Sequence, residues 1–245
     1  NFILPLAGSI FFWLLITFAF FCLLSTITLK ESLPESSRSK ISIYIIINNY
    51  KGLLLNKKFM GYAFCMSFAF AGMFAYISGS PFFIIDYYNY SPQAFGIFFF
   101  INVLFLIIGS AINALYVKKI GSDKMLLIGS LISAIFGMLI LINILIFPKI
   151  NYTILIFTTL FMPSVTITGA NATASALNLF PKNIGSAAAA LGAIQFTIGG
   201  ISGYIVGELY LHTFFAMGLV IGVCGLLNFC SYFAVLRRNN PTFTS

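Results

Sequence analysis

The chain has 245 residues, of which 60% are hydrophobic and only 7% charged, with a mean hydropathy of +1.02. That composition excludes a water-soluble domain of this size and implies an integral membrane protein. The net charge of +8 does not point to nucleic acid, because the basic residues are spread over several short loops instead of being gathered on one face.

Apolar runs fall at about residues 7–29, 60–85, 93–117, 125–147, 153–177, 185–207 and 214–236. Each reaches the roughly 20 residues that a helix needs to cross about 30 Å of hydrocarbon. The expected fold is therefore an all-α polytopic membrane protein with seven transmembrane helices. The chain opens at Asn1 with neither a methionine nor a basic leader and enters a run too long for a signal-peptide core. The expectation is a piece of a longer protein.

Between the first two runs lies a polar stretch, Lys30 to Arg38, and then a short apolar run from Ile41 to Ile47 that ends in Asn48, Asn49, Lys51 and Gly52. Seven residues cannot cross, so a helix lying at the cytoplasmic interface is expected. The domain expectation is a helix over 1–29 that ends one bundle, a linker over 30–59, a six-helix bundle over 60–236 and a cytoplasmic tail over 237–245.

The second run meets Gly79, Ser80 and Pro81 and then the acid Asp86. Proline removes a backbone donor, which lipid cannot replace, so the helix must be supported there by neighbours or a cavity. The fifth run carries Pro163 and Gly169 at a comparable place in the second set of three. Paired interruptions of this kind, at Gly79, Pro81 and Pro163, point to the substrate site of carriers built from repeats.

The fifth run also carries Ser164, Thr168, Asn171, Ser175 and Asn178 on one helical face. Polar groups facing lipid are costly, so that face must look inward. Tyr76, Ser80, Phe98, Asn102, Asn171 and Gln195 are accordingly the candidate substrate-pathway residues, with hydrogen bonding between helices as the alternative for each taken singly. On the sixth run Gly185, Ala189, Ala193, Gly199, Gly203 and Gly207 recur in steps of four within each trio, the pattern of a packing seam.

Twelve of the thirteen basic residues lie in loops on one side of this topology, and Lys149 alone lies on the other. Basic loops stay in the cytoplasm, which puts the N-terminus outside and the C-terminus inside. Asp86 and Glu208 are the only acids near the membrane that could carry protons. Both fall near the outer ends of helices, where a solvated interfacial charge is the simpler account.

Cys22, Cys65, Cys224 and Cys230 sit in apolar runs without the spacing of metal or redox motifs, and His212 is the single histidine. Neither a metal nor another cofactor is expected, and with five acids and no nucleophile beside a base, neither is an enzyme. The sequon at Asn151 to Thr153 lies tight against a span and carries no weight.

Several stretches resemble the major facilitator superfamily, in particular its Bcr/CflA-type drug/proton antiporters: LKESLPE from Leu29, NKKFMGYAF from Asn56, YISGSPFFI from Tyr76, YSPQAFGIFFFIN from Tyr90, and ANATASALNLFPKNIGSAAAALGAIQF from Ala170. The resemblance implies that the first span is similar to the sixth helix of a twelve-helix carrier and the others to its seventh through twelfth. Ala170 stands where such proteins commonly have proline, and Asn113 where an acid is common. What the resemblance implies is proton-coupled efflux of small amphipathic compounds across the cytoplasmic (inner) membrane, with a small-molecule substrate, protons and the lipid bilayer as partners. A truncated carrier without transport of its own and a seven-helix receptor remain the alternatives.

Overall fold

The computed structural model describes residues 3–28, 43–147, 152–181, 183–210 and 215–233. The features expected at Asn1, Lys30 to Lys40, Lys149, Asn151, Lys182, His212, Arg237 and Arg238 lie outside them. Among the described residues every regular element is helical.

The chain divides into two compact units, Asn1–Ile43 and Tyr44–Ser245. The first holds α1, Ile3–Thr28, which is apolar around its whole turn. The hydroxyls of Thr17 and Thr26 donate back to the carbonyls of Trp13 and Cys22, each at 2.8 Å, and so are satisfied within the helix.

The second unit begins with α2, Ile43–Leu55, whose 13 residues are too few to cross. Leu53, 1% exposed, anchors it in a core cluster with Phe59, Tyr62 and Leu191. Asn56 then caps α3, accepting from the Phe59 amide at 3.0 Å. The long helices follow as α3, Lys57–Pro81, α4, Pro92–Ile120, α5, Ser122–Ile146, α6, Thr153–Asn178, α7, Ile184–Tyr210, and α8, Ala216–Ser231.

Seven spans are expected, and among the described residues five are long and apolar enough to cross: α3 with its extension, α4, α5, α6 and α7. The part of α1 from Phe12 to Thr28 and the 16-residue α8 are apolar but shorter. Over its described residues, at about 1.5 Å per residue, α8 rises about 24 Å.

Local chemistry explains the boundaries. Ser91 caps α4 by accepting from the Ala94 amide at 3.2 Å, and Pro92 occupies the first turn, where its missing N–H costs nothing. Gly121, at φ +89°, both ends α4 and starts α5, a turn that a side chain would strain.

The two prolines act differently from a break. After Pro81, α3 runs on into a wider π-helical segment, Phe82–Tyr87, in which the Tyr88 amide reaches back to the Phe83 carbonyl. Pro81 has no N–H for the Ile77 carbonyl one turn back, and the chain stays helical past it, with the Phe82 amide donating to the Gly79 carbonyl. Helix α6 stays continuous through Pro163 because α4 supports it: a Cβ on Gly109 would lie 2.6 Å from the Pro163 Cα. Gly79 likewise marks a close crossing, where a Cβ would lie 2.7 Å from the Met217 Cβ of α8.

In the packing, α3 and α6 meet at the centre and α5 meets α8. Helix α7 lies on α3 and α4 on α6, while α8 also packs on α3 and α5 on α6. Exchanging the first triplet, α3 to α5, for the second, α6 to α8, maps these pairings onto themselves.

The expected seam on α7 is only partly occupied. Gly199 faces the Phe70 ring and Gly203 the Ser78 hydroxyl, whereas Gly185 and Gly207 have open space beside them and Ala189 and Ala193 are exposed. The buried face instead carries Ala187, Ala190, Leu191, Ser202 and Val206. Ser202 donates to the Ala71 carbonyl of α3 at 2.6 Å and fixes this register. A step of four drifts around a helix of 3.6 residues per turn, so a long run in fours cannot keep to one straight contact.

Candidate functional site

Tyr76 and Ser80 lie one turn apart on α3, and Phe98 and Asn102 one turn apart on α4. The structure brings the two pairs together. Asn102 Nδ2 donates to the Tyr76 hydroxyl at 3.0 Å and to its own helix at the Phe98 carbonyl at 2.9 Å. A carbonyl can only accept, so the second bond fixes which way the amide points.

That orientation leaves Asn102 Oδ1 without a hydrogen-bond partner. Ser80 lies close to the Tyr76 hydroxyl, yet its Oγ makes no hydrogen bond. Tyr76, Ser80 and Asn102 are 2%, 0% and 4% exposed, so these are dehydrated groups. An unpaired buried polar atom costs about 1–3 kcal/mol.

Aromatic rings surround the group. Tyr76 stacks on Phe99 at 6.0 Å between centroids, Phe99 meets Phe95 at 5.9 Å, and Phe98 meets Tyr90 at 5.6 Å. Beyond the end of α3 Phe83 contacts Tyr87 and Tyr88, and Tyr88 stacks on Tyr152 at 5.2 Å. Hydrogen bonding with Tyr152 holds the Tyr90 phenol above its ordinary pKa.

The remaining pathway candidates lie elsewhere. Asn171, 2% exposed, donates to Asn113 Oδ1 of α4 at 2.6 Å and to the Ile167 carbonyl at 2.7 Å. Of its stripe, Ser164 returns to the Phe161 carbonyl at 2.7 Å, and Thr168 faces Gly129 of α5. Ser175 is half-buried and Asn178 exposed. Gln195 is half-buried on α7.

Asp86 is exposed and accepts from the Tyr210 hydroxyl at 3.0 Å, beside a Phe82–Tyr210 ring stack at 4.6 Å. Glu208 is exposed as well. Neither acid reaches the buried group around Asn102.

A groove of about 280 Å³ lies between α3, α7 and α8, lined by Phe68, Ile198, Ile205, Val220, Cys224 and Leu227 among others. It includes none of the pathway candidates and is almost wholly apolar.

Three polar features escape a reading of the sequence. Ser130 donates to Asn228 Oδ1 at 3.1 Å, and Asn228 Nδ2 donates to Ser133 at 2.9 Å, which ties α5 to α8. Tyr62 donates to Asp123 at 3.3 Å across the start of α3 and α5. Thr166 donates to the Leu106 carbonyl at 3.2 Å beside the Gly109–Pro163 crossing. A single asparagine near the end of an apolar run was the available signal for the first, and a lone acid next to a helix start for the second. Among the described residues no group of His, Cys, Asp or Glu could hold a metal ion.

Comparison with known proteins bears on this arrangement. A family model described as "MFS/sugar transport protein" matches residues 6–178. A bicyclomycin resistance protein homolog of Haemophilus influenzae is 28% identical over 211 residues, 86% of this chain and 53% of that protein. An uncharacterised MFS-type transporter of Bacillus subtilis, YdgK, is 31% identical over 238 residues, 96% of this chain and 59% of that protein. The chain thus spans somewhat more than half the length of the curated relatives it matches. With helices that pair in two interlocked triplets and a family match covering most of its length, the chain belongs to the major facilitator superfamily of membrane transporters, Bcr/CflA type.

Proposed function

We propose that this chain forms the C-terminal bundle, with the helix before it, of a proton-coupled carrier that exports small amphipathic drugs across the cytoplasmic membrane. In this reading α1 corresponds to the sixth helix of a twelve-helix carrier and α3 to α8 to the seventh through twelfth. Segment 1–29 closes one bundle, 30–59 is the cytoplasmic linker, 60–236 is the second bundle and 237–245 is a cytoplasmic tail. The N-terminus of the chain faces outward and its C-terminus inward.

The observation that carries the proposal is the buried Tyr76–Asn102 contact with its two unpaired neighbours, Ser80 Oγ and Asn102 Oδ1. Ser67 Oγ and Thr168 Oγ1 are buried and unpaired as well, but here an amide acceptor and a hydroxyl lie unpaired beside one tyrosine, and a carrier needs polar contacts that a substrate can complete. Drug export as the substrate class follows the name of the Haemophilus influenzae relative, a bicyclomycin resistance protein homolog. Protons are the coupling ion in this reading. Asp86, exposed and bonded to Tyr210, serves at the interface in preference to carrying them.

The test is accumulation of the fluorescent amphiphile Nile red in cells at equal membrane abundance of two proteins: this chain alone, and this chain joined behind the first five helices of the Haemophilus influenzae relative. The joined protein is expected to lower accumulation in a manner abolished by a protonophore, and the chain alone to leave it unchanged. A joined protein that inserts and still leaves accumulation at the level of empty cells rejects the proposal.

A further inference from the structure

The group around Asn102 has a chemical preference, and its interpretation rests on the transport reading above. Both amide protons of Asn102 are committed, one to Phe98 and one to Tyr76. Its only free function is the acceptor Oδ1, fully dehydrated, and the unpaired Ser80 Oγ also lies close to the Tyr76 hydroxyl.

Charge is absent around it. No side chain between residues 59 and 85 of α3, or between 92 and 117 of α4, is ionised at neutral pH. Among the helices packed beside them, α6 and α8 carry no charged residue, α7 carries only the exposed Glu208, and α5 only Asp123 and Lys124 in its first turn. An organic cation could still be drawn to the faces of Tyr76 and Phe99. It would have to leave water with no counter-ion, however, and a quaternary one has no hydrogen to give Asn102, so dehydration outweighs the ring contact.

We propose that the Tyr76–Ser80–Asn102 group receives an uncharged planar aromatic substrate bearing an N–H or O–H, which donates to Asn102 Oδ1 while its ring joins the Tyr76–Phe99 stack. The substrate completes a hydrogen bond that the closed bundle lacks. Because the empty group leaves an acceptor unpaired, donor-bearing substrates stabilise the arrangement that admits them, whereas capped analogues do not.

Three probes on one ring system separate the terms: β-naphthol, its methyl ether, and the corresponding naphthylmethyl-trimethylammonium. Saturable binding of each is measured to the full chain in lipid nanodiscs, with empty discs subtracted. β-Naphthol is expected to bind about tenfold more tightly than the ether, with the cation weakest. In N102L the ratio of naphthol to ether falls to about one. Because leucine could disturb the α3–α4 contact, N102D is the second variant; in this dehydrated site its carboxyl is held neutral, so it keeps the shape and an acceptor oxygen and is expected to retain the preference for naphthol.

Ether and cation binding as tightly as naphthol in the natural chain overturns the inference and leaves the transport site standing. An unchanged naphthol-to-ether ratio in N102L overturns it too, as does a ratio of about one in N102D. If none of the three binds saturably, the substrate site itself is rejected, and the inference with it.

Discussion

Asn171 and Asn102 illustrate what a polar residue in an apolar span does and does not announce. Both must face inward, because lipid offers no partner. Whether inward means a neighbouring helix or a substrate is decided by the partner's geometry, which no spacing rule contains. Asn171 meets Asn113 and is satisfied at both of its amide protons, while Asn102 keeps a free acceptor. The stripe was legible as an inward face from Ser164 to Asn171, though Asn178 at its end is exposed, and its contacts with α4 and α5 were not legible. Asn171→Leu and Asn113→Leu should therefore behave as a structural pair. In a double-mutant cycle of unfolding in detergent, their coupling is expected at about 0.6 kcal/mol and at most about 1.7 kcal/mol. Additive effects of the two changes would show that the bond contributes nothing to the bundle.

The contact between α5 and α8 is where small residues decide the packing. A Cβ on Gly225 would collide with the Ser133 carbonyl, and one on Gly137 would lie 3.0 Å from the Gly222 carbonyl. That closeness lets Ser130, Ser133 and Asn228 form a buried network across the crossing. Helix α7 shows the opposite case, since Gly207 has nothing within 4 Å of where its Cβ would stand. In the sequence the two glycines look alike, and the more regular repeat belongs to α7. Gly225→Val is expected to destabilise the full chain by about 1–3 kcal/mol through overpacking, while Gly207→Ala stays within about 0.5 kcal/mol of the natural chain. Thermal unfolding in detergent measures both. Equal effects would mean that the α5–α8 backbones are not held at this distance.

The interlocking of the triplets joins local pattern to the whole molecule. Apolar runs showed where the long helices lie, to within three or four residues at most ends, because hydrophobic length is a local property. That α4 packs on α6 and α7 on α3 is a property of two triplets together, so neither run of sequence contains it. In such a fold each helix reverses direction relative to the one before, which makes the loop charges a test of topology. The proposed orientation puts Lys51, Lys57, Lys58, Lys118, Lys119 and Lys124 on the cytoplasmic side and Lys149 outside. A membrane-impermeant amine reagent applied to intact cells should then modify Lys149 and spare the other six, and inverted vesicles should show the reverse, with the sites read by peptide mass spectrometry. Labelling of Lys118 and Lys119 from outside would invert the bundle. It would place the aromatic cluster of Tyr87, Tyr88 and Tyr152 on the cytoplasmic side, opposite to where the basic loops put it.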